Sequence, residues 1–268
     1  MIPDSQLEQA LAGEMVPKFM GTLDARGIPN CVPVTTTTLY DAQTLVFGEF
    51  LMNKTRRNLL ERAEVGVAVI TKSFDTWSIR GTFLGFETTG DHVDFINQSP
   101  LFRYNAYTSI RSAGIIRIES VSPRASLGKG RYLCDFMYTA SISPLFRGNH
   151  RPPVMPRPVM EKFRRFSAVR AVAHVDEKGY PATFATAAGL PAGPNRLLFG
   201  DPLFLAQKTE IAPGSTVAAS ILTSDPIAYQ VKGIYRGVSL GVGIVDLTEC
   251  YSASPPLLGE RLDGMSRG

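Results

Sequence analysis

Cysteine, histidine and charge are all scarce in this sequence, and each scarcity excludes something. The three cysteines, Cys31, Cys134 and Cys250, are widely separated, odd in number and outside any C-x-x-C arrangement. That argues against a disulfide framework and a cysteine-based structural zinc site. The three histidines, His92, His150 and His174, show no metal-ligand spacing, so no metal site is expected. Charged residues make up 19%, below the ~25% of an average domain. The net charge of +4 and the pI near 9.0 are mild, and the densest basic stretch is Lys162-Phe163-Arg164-Arg165. Nucleic-acid binding needs a basic stripe or a recognisable module, and none is expected here. No apolar run approaches the ~18 residues of a membrane span. The N-terminus is polar and acidic without an apolar signal core, so the expected location is cytoplasmic. G-x-S-x-G, H-E-x-x-H and Walker loops are missing too, and Gly128-Lys129-Gly130 lacks the rest of a P-loop.

What is present suits a globular chain. Of 268 residues, 44% are hydrophobic, and a chain of this size buries roughly 75% of its unfolded surface. Asp4 or Ser5 is expected to cap a short helix, SQLEQALAG, with Leu7, Ala10 and Leu11 on one face. Lys18 to Leu23 reads as a strand, Asp24-Ala25-Arg26-Gly27 as a turn, and Pro29 to Thr37 as the returning strand. Pro33 inside that run suggests an edge or a bulge. Tyr40-Asp41-Ala42-Gln43 reads as a turn into the strand 44–48. Further strands are expected over Val65–Thr71, Trp77–Glu87 and Gly114–Val121.

The stretch 44–58, TLVFGEFLMNKTRRN, organises the rest. It reads as a buried strand, a short turn and a helix start, with Asn53 of a type suited to the N-cap. The first helical turn presents unpaired N–H groups and the positive end of the helix dipole. Acidic residues normally sit there. This turn carries Lys54, Arg56 and Arg57, with a hydroxyl at Thr55 and an amide at Asn58. The pattern fits either a solvated basic face or a phosphate site.

Residues 122–158 differ in composition, with Ser-Pro pairs and four prolines between Pro152 and Pro158. Such a segment reads as an extended linker. After it the first half returns. Pro29 matches Pro181, Phe47 matches Phe199 and Gly81 matches Gly233, at a constant spacing of 152 residues. Lys54-Thr55 corresponds to Lys208-Thr209 with two extra residues between. The chain therefore reads as an internal duplication: 1–121, a linker 122–158, and 159–268. Weak helical content and about six short strands per unit suggest small antiparallel barrels, so the expected class is mainly β.

The order D-x-x-G-x-P-N-x-x-P (Asp24 to Pro33), L-V-F-G-E-F (Leu45 to Phe50), N-K-T-R-x-N-L (Asn53 to Leu59) and V-x-V-A-V (Val65 to Val69) resembles the FMN-binding split barrels. These are relatives of pyridoxamine 5′-phosphate oxidase and the flavoredoxin-like flavin reductases. The resemblance covers about 18–88 well and 168–237 more loosely. It implies two barrels side by side, normally a homodimer, with FMN in the cleft between them. Here one chain would supply both barrels as an intrachain pseudo-dimer, standing alone or pairing again. By resemblance, Lys54, Thr55, Arg56 and Asn58 would hold the phosphate. Asn30, Val32, Pro33, Val34 and Thr35, with Phe47, Gly48, Glu49 and Phe50, would hold the ring. Catalytic residues are not readable. In the second copy Glu210 follows the Lys-Thr pair, so the first copy is expected to keep the phosphate site and the second to serve as a wall.

The implied activity is that of an FMN-dependent oxidoreductase on a small or aromatic substrate, with NAD(P)H or oxygen as partner. A deazaflavin or haem in place of FMN, a non-catalytic carrier, and a cofactor-free interaction module are the alternatives. Cys31 reads as a small buried hydrophobe and Trp77 as a core aromatic. Arg80 and Lys232 share a repeat position, as solvated cations or as cations at a cleft mouth. Tyr104, Tyr107 and Arg111 fall on an irregular stretch that a lid would suit.

Overall fold

The computed structural model describes residues 4–13, 16–50, 52–99, 110–126, 128–147, 152–200, 210–254 and 259–262. The first half contains α1 (Ser5–Ala12), β1 (Lys18–Leu23), β2 (Pro29–Pro33), β3 (Thr38–Asp41), β4 (Thr44–Gly48), α2 (Asn53–Glu61), β5 (Glu64–Ile70), β6 (Asp75–Glu87), α3 (Asp91–Asn97) and β7 (Ala113–Val121). Next come β8 (Ala125–Ser126), α4 (Lys129–Ile142) and α5 (Arg157–Phe163). The second half contains β9 (Val169–Val175), β10 (Pro181–Thr186), β11 (Gly189–Pro191), β12 (Arg196–Gly200), β13 (Thr216–Leu222), β14 (Ala228–Ser239) and β15 (Val242–Ser252).

The two sheets have one topology. The first runs β2-β1-β5-β6-β7-β4-β3, with β8 added to β6; the second runs β10-β9-β13-β14-β15-β12-β11. Every named pairing is antiparallel, and the order repeats strand for strand. The duplication read from three spaced matches is thus a duplication of the whole sheet. The chain is mainly β and forms two tandem split barrels packed as an intrachain pseudo-dimer.

Alternation along the strands builds the cores. On β5, Val65, Val67 and Val69 point into the first barrel with Met20, Phe47, Trp77 and Ile116. On the other face, Ala68 meets Phe19, Cys31, Ala171, Ala173 and Ala218 in a layer of small side chains between the halves. Small residues are required there. A Cβ built on Gly66 would lie 1.8 Å from the Pro181 carbonyl oxygen, and one on Gly21 2.1 Å from the Thr183 hydroxyl. The contact is reciprocal, with β10 lying against β1, β5 and β6, and β2 against β9, β13 and β14. Its hydrogen bonds are reciprocal too. Ser78 Oγ donates to the Thr183 carbonyl at 2.5 Å, and its repeat mate Gln230 donates to the carbonyl of Cys31, the mate of Thr183.

Several local expectations hold. Asp4 caps α1 by accepting from Leu7 N–H at 2.6 Å, and its other oxygen accepts from Trp77 Nε1 at 3.3 Å. Trp77 is a core residue and Cys31 a buried one. Pro33 lies on β2, an edge strand of its sheet.

Others are corrected. Asn53 is not the cap of α2 but its first residue; Met52 precedes it, and no side chain caps the helix. Residues 38–41 are strand, held to β4 by the pairing of Leu39 with Leu45, and the turn comes after Asp41. The linker is not wholly extended. Residues 131–142 carry neither Pro nor Gly, and α4 buries Tyr132, Phe136 and Thr139, spaced as one helical face. The prolines act only downstream, and α5 begins among them, where proline in the first turn is tolerated.

Candidate functional site

A cleft of about 1200 Å³ opens where the two halves meet. One wall is the chain from Val32 to Thr36 with Gly48 and Phe50; the other is built from Leu222, Thr223, Ala228 and Gln230, with Tyr251 to Ser254. At one side the cleft reaches the N-terminal turn of α2, where Asn53, Lys54, Thr55 and Arg57 line it. Among the described lining residues, none is acidic.

The α2 turn is anchored from below. Asn30 Nδ2 donates to the buried Thr55 hydroxyl oxygen at 3.4 Å, which leaves that hydroxyl's proton to point elsewhere. Asn58 Nδ2 donates to Thr22 Oγ1 at 3.0 Å and fixes the helix to β1. The wall residue Thr36 accepts from Gly48 N–H at 3.2 Å and donates to the Gly48 carbonyl at 3.3 Å, tying the two ring-side segments together.

The Lys54 ammonium sits 4.1 Å from the centre of the Tyr251 ring, across the junction of the halves. Burial lowers its pKa, while Glu249 works against that shift. Lys232 lies beside it, 2% exposed, with its pKa pushed down to about 7, first by burial and then by the Lys54 charge. Tyr251 Oη donates to Glu249 Oε2 at 3.0 Å, and burial together with this carboxylate raises the phenol's pKa.

Of the sequence-derived candidates, the structure brings Asn30, Val32, Pro33, Val34, Thr35, Gly48, Phe50, Lys54 and Thr55 to the cleft. Four others do not line it. Phe47 is turned into the first barrel core, because β4 alternates. Glu49 is buried and holds Arg56 Nη1 at 2.9 Å and the Ser112 hydroxyl. Arg56 is thereby drawn off the cleft and lies over the Phe86 ring at 4.4 Å. Asn58 sits beneath the helix rather than at its open end. The residue that does join Lys54 at the cleft is Arg57.

That the second half serves as a wall was read from the sequence, but the residues that form it were not. Their signal was available, because the repeat places residues 222–230 opposite the first-half site once the halves pair reciprocally. Arg80 forms an ion pair with Asp176 across the halves. Lys208, Thr209, Tyr104 and Tyr107 lie outside the described residues.

Among the described residues, one side of the mate of this cleft is filled; the mates of Lys54 and Thr55 lie outside them. Tyr132 of α4 packs on Ile70, Phe74, Ala185 and Ala187. By the 152-residue spacing these are the mates of Leu222, Pro226, Pro33 and Thr35, all four of which line the open cleft. Tyr132 Oη is held by Arg170 Nη1 at 3.2 Å and reaches the Ala168 carbonyl at 3.3 Å.

No protein-family model and no curated protein matches the chain. Solved structures do, each over about half of it. HupZ of Group A Streptococcus is 19% identical, covering 45% of this chain and 92% of its own, at a TM-score of 0.39. An FMN-binding protein from Syntrophomonas wolfei is 16% identical, covering 45% and 87%, at 0.38. HutZ, the haem storage protein from Vibrio cholerae, is 10% identical, covering 47% and 97%, at 0.36. These likenesses carry no functional argument, and the duplication rests on the two matching strand orders.

Proposed function

We propose that the cleft between the halves binds FMN and that the chain is a flavin-dependent oxidoreductase on a small or aromatic substrate, with NAD(P)H as a partner. The observation that carries this reading is the cationic end of the cleft, where Lys54, Thr55 and Arg57 stand near the N-terminus of α2 and the described lining residues include no acid. A phosphate dianion suits such an end, since helix N–H groups, a hydroxyl and cations all favour it.

Lys54, Thr55 and Arg57 would hold the phosphate, and Val32 to Thr36 with Gly48 would hold the ring. When bound, the flavin supplies the redox chemistry; the protein supplies orientation and electrostatics. Asn30 orients Thr55, Thr36 fixes the ring-side wall, and the second half supplies the facing wall. Both halves are on one chain, so a monomer suffices to build the site.

The test is an absorbance spectrum of the purified chain before and after FMN addition and desalting, then a screen of NADH and NADPH as reductants. Retained flavin that NAD(P)H bleaches under argon supports the enzyme. Retained flavin with no reductant and no turnover leaves a carrier. A chain that retains haem and not flavin overturns the assignment.

A further inference from the structure

The slot that holds Tyr132 has an open copy in the cleft. The Tyr132 ring packs on Ile70, Phe74, Ala185 and Ala187, whose repeat mates Leu222, Pro226, Pro33 and Thr35 line the cleft. Val169, packed on the same cluster, is the mate of Pro17, a fifth lining residue. Five matching positions make the open slot a copy of one that a single flat ring fills. The polar end repeats as well. Arg170, which donates to the Tyr132 hydroxyl, is the mate of Lys18. The two buried cations donate to mate carbonyls, Arg170 to that of Arg165 at 2.5 Å and Lys18 to that of Gly13 at 3.0 Å. Lys18 stands behind the cleft wall, on the Thr35 carbonyl at 3.3 Å, so its charge rather than its contact favours an oxygen there. Thr35 adds a hydroxyl where its mate Ala187 has none.

We propose that the open slot is the subsite for the substrate's aromatic ring and takes a phenol, with Tyr132 as its internal mimic across the pseudo-twofold. The cleft has room for such a ring beside a cofactor, since its volume of about 1200 Å³ exceeds the roughly 300–1,000 Å³ that holds one small molecule. The slot also lies apart from the phosphate end. Asn30, which bonds Thr55, and Pro33 are three residues apart on β2, about 10 Å. The ring packs between Pro33 on one wall and Leu222 and Pro226 on the other, and its hydroxyl meets Thr35. The choice of a phenol rests on the repeat alone; its standing as a substrate rests on the flavin reading above.

The probe is p-cresol, the tyrosine side chain as a free molecule. Calorimetric titration of the full chain should give one p-cresol per chain, with saturating FMN present as without it. Toluene, which lacks the hydroxyl, should bind about 5- to 10-fold more weakly. Leu222→Trp fills the slot and should weaken p-cresol binding at least about 10-fold. Tyr132→Ala empties the mate slot, so it should bind two p-cresol per chain, and p-cresol should raise its melting temperature. A wild type that binds no p-cresol, or binds toluene equally well, overturns the proposal, and so does Leu222→Trp with unchanged affinity. Should Leu222→Trp fail to fold, the Tyr132→Ala stoichiometry decides: two per chain supports the proposal and one overturns it. Displacement of p-cresol by FMN would give the slot to the flavin ring and also overturn it. If FMN does not bind and p-cresol does, the cofactor reading falls and the phenol slot stands.

Discussion

The Tyr132 ring packs against Phe74 with centroids 4.3 Å apart, in the position that mirrors the open cleft. Of the two pseudo-symmetric clefts, one is open and the described part of the other is filled by this ring. The first prediction is a stoichiometry of one FMN per chain at saturation, read by absorbance or calorimetry. Two per chain would show that α4 is displaced.

Truncating the plug should cost stability. Tyr132→Ala removes a buried aromatic and the partner of Arg170, and should lower unfolding free energy by about 3 kcal/mol in urea titrations. Tyr132→Phe keeps the packing and should lose only about 1 kcal/mol. Equal losses in the two variants would mean that the hydroxyl, not the ring, matters.

The close approach of the halves gives a second test. Gly66→Ala drives a methyl into the Pro181 backbone, and overpacking of this kind costs about 1–3 kcal/mol. Gly130 lies in α4 with nothing near its missing Cβ. Gly130→Ala should therefore gain about 0.5–1 kcal/mol. Thermal melts of the two variants should shift in opposite directions.

How much of this was legible beforehand follows from what short-range pattern encodes. Most strands of 18–71 and the turn at 24–27 are local and were legible, while the strand at 38–41 and the exact start of α2 were misread. The duplication was legible too, because Pro29/Pro181 and Phe47/Phe199 keep their spacing. Side-chain direction at the site was not. Phe47 and Glu49 share the segment that lines the cleft, yet alternation and the Arg56 pair turn them away from it. Arg57, next to Arg56, lines the cleft instead.

The helix α4 was hidden by its surroundings. Ser-Pro pairs before it and a proline cluster after it dominate the composition of 122–158, while the Tyr132, Phe136, Thr139 spacing is the only sign of a buried face. The residues of the second-half wall were obscured for another reason: which residues meet across a pseudo-twofold depends on how sheets stack, and no local pattern states that.

Lys18 provides a pH test. It is buried, donates to the Gly13 carbonyl at 3.0 Å and the Thr35 carbonyl at 3.3 Å, and burial pushes its pKa down to about 8. In the unfolded chain a lysine titrates near 10.4. From about pH 8 upward the folded state sheds this proton first, so the unfolded state binds more protons and stability rises with pH, by at most about 1.4 kcal/mol per unit. Below that window both states are protonated and the slope vanishes. Lys18→Met should remove about half of the rise between pH 8 and 9.5 in urea titrations, because Lys232, also held low by burial, keeps its own share; an unchanged slope would rule Lys18 out as a source.

The Arg80–Asp176 pair should couple the halves. Asp176→Asn leaves Arg80 without its carboxylate at a half-buried junction, at an expected loss of about 1–2 kcal/mol. In a double-mutant cycle with Arg80→Met the losses should not add, since the two residues share one interaction. Simple additivity would mean that the pair is idle.

Joining both barrels in one chain changes what dilution does. A site shared between separate subunits comes apart as concentration falls. Here the wall carrying Gln230 and Tyr251 is tethered to the one carrying Lys54, so the cleft exists at any concentration and its affinity for ligand should not depend on how much protein is present.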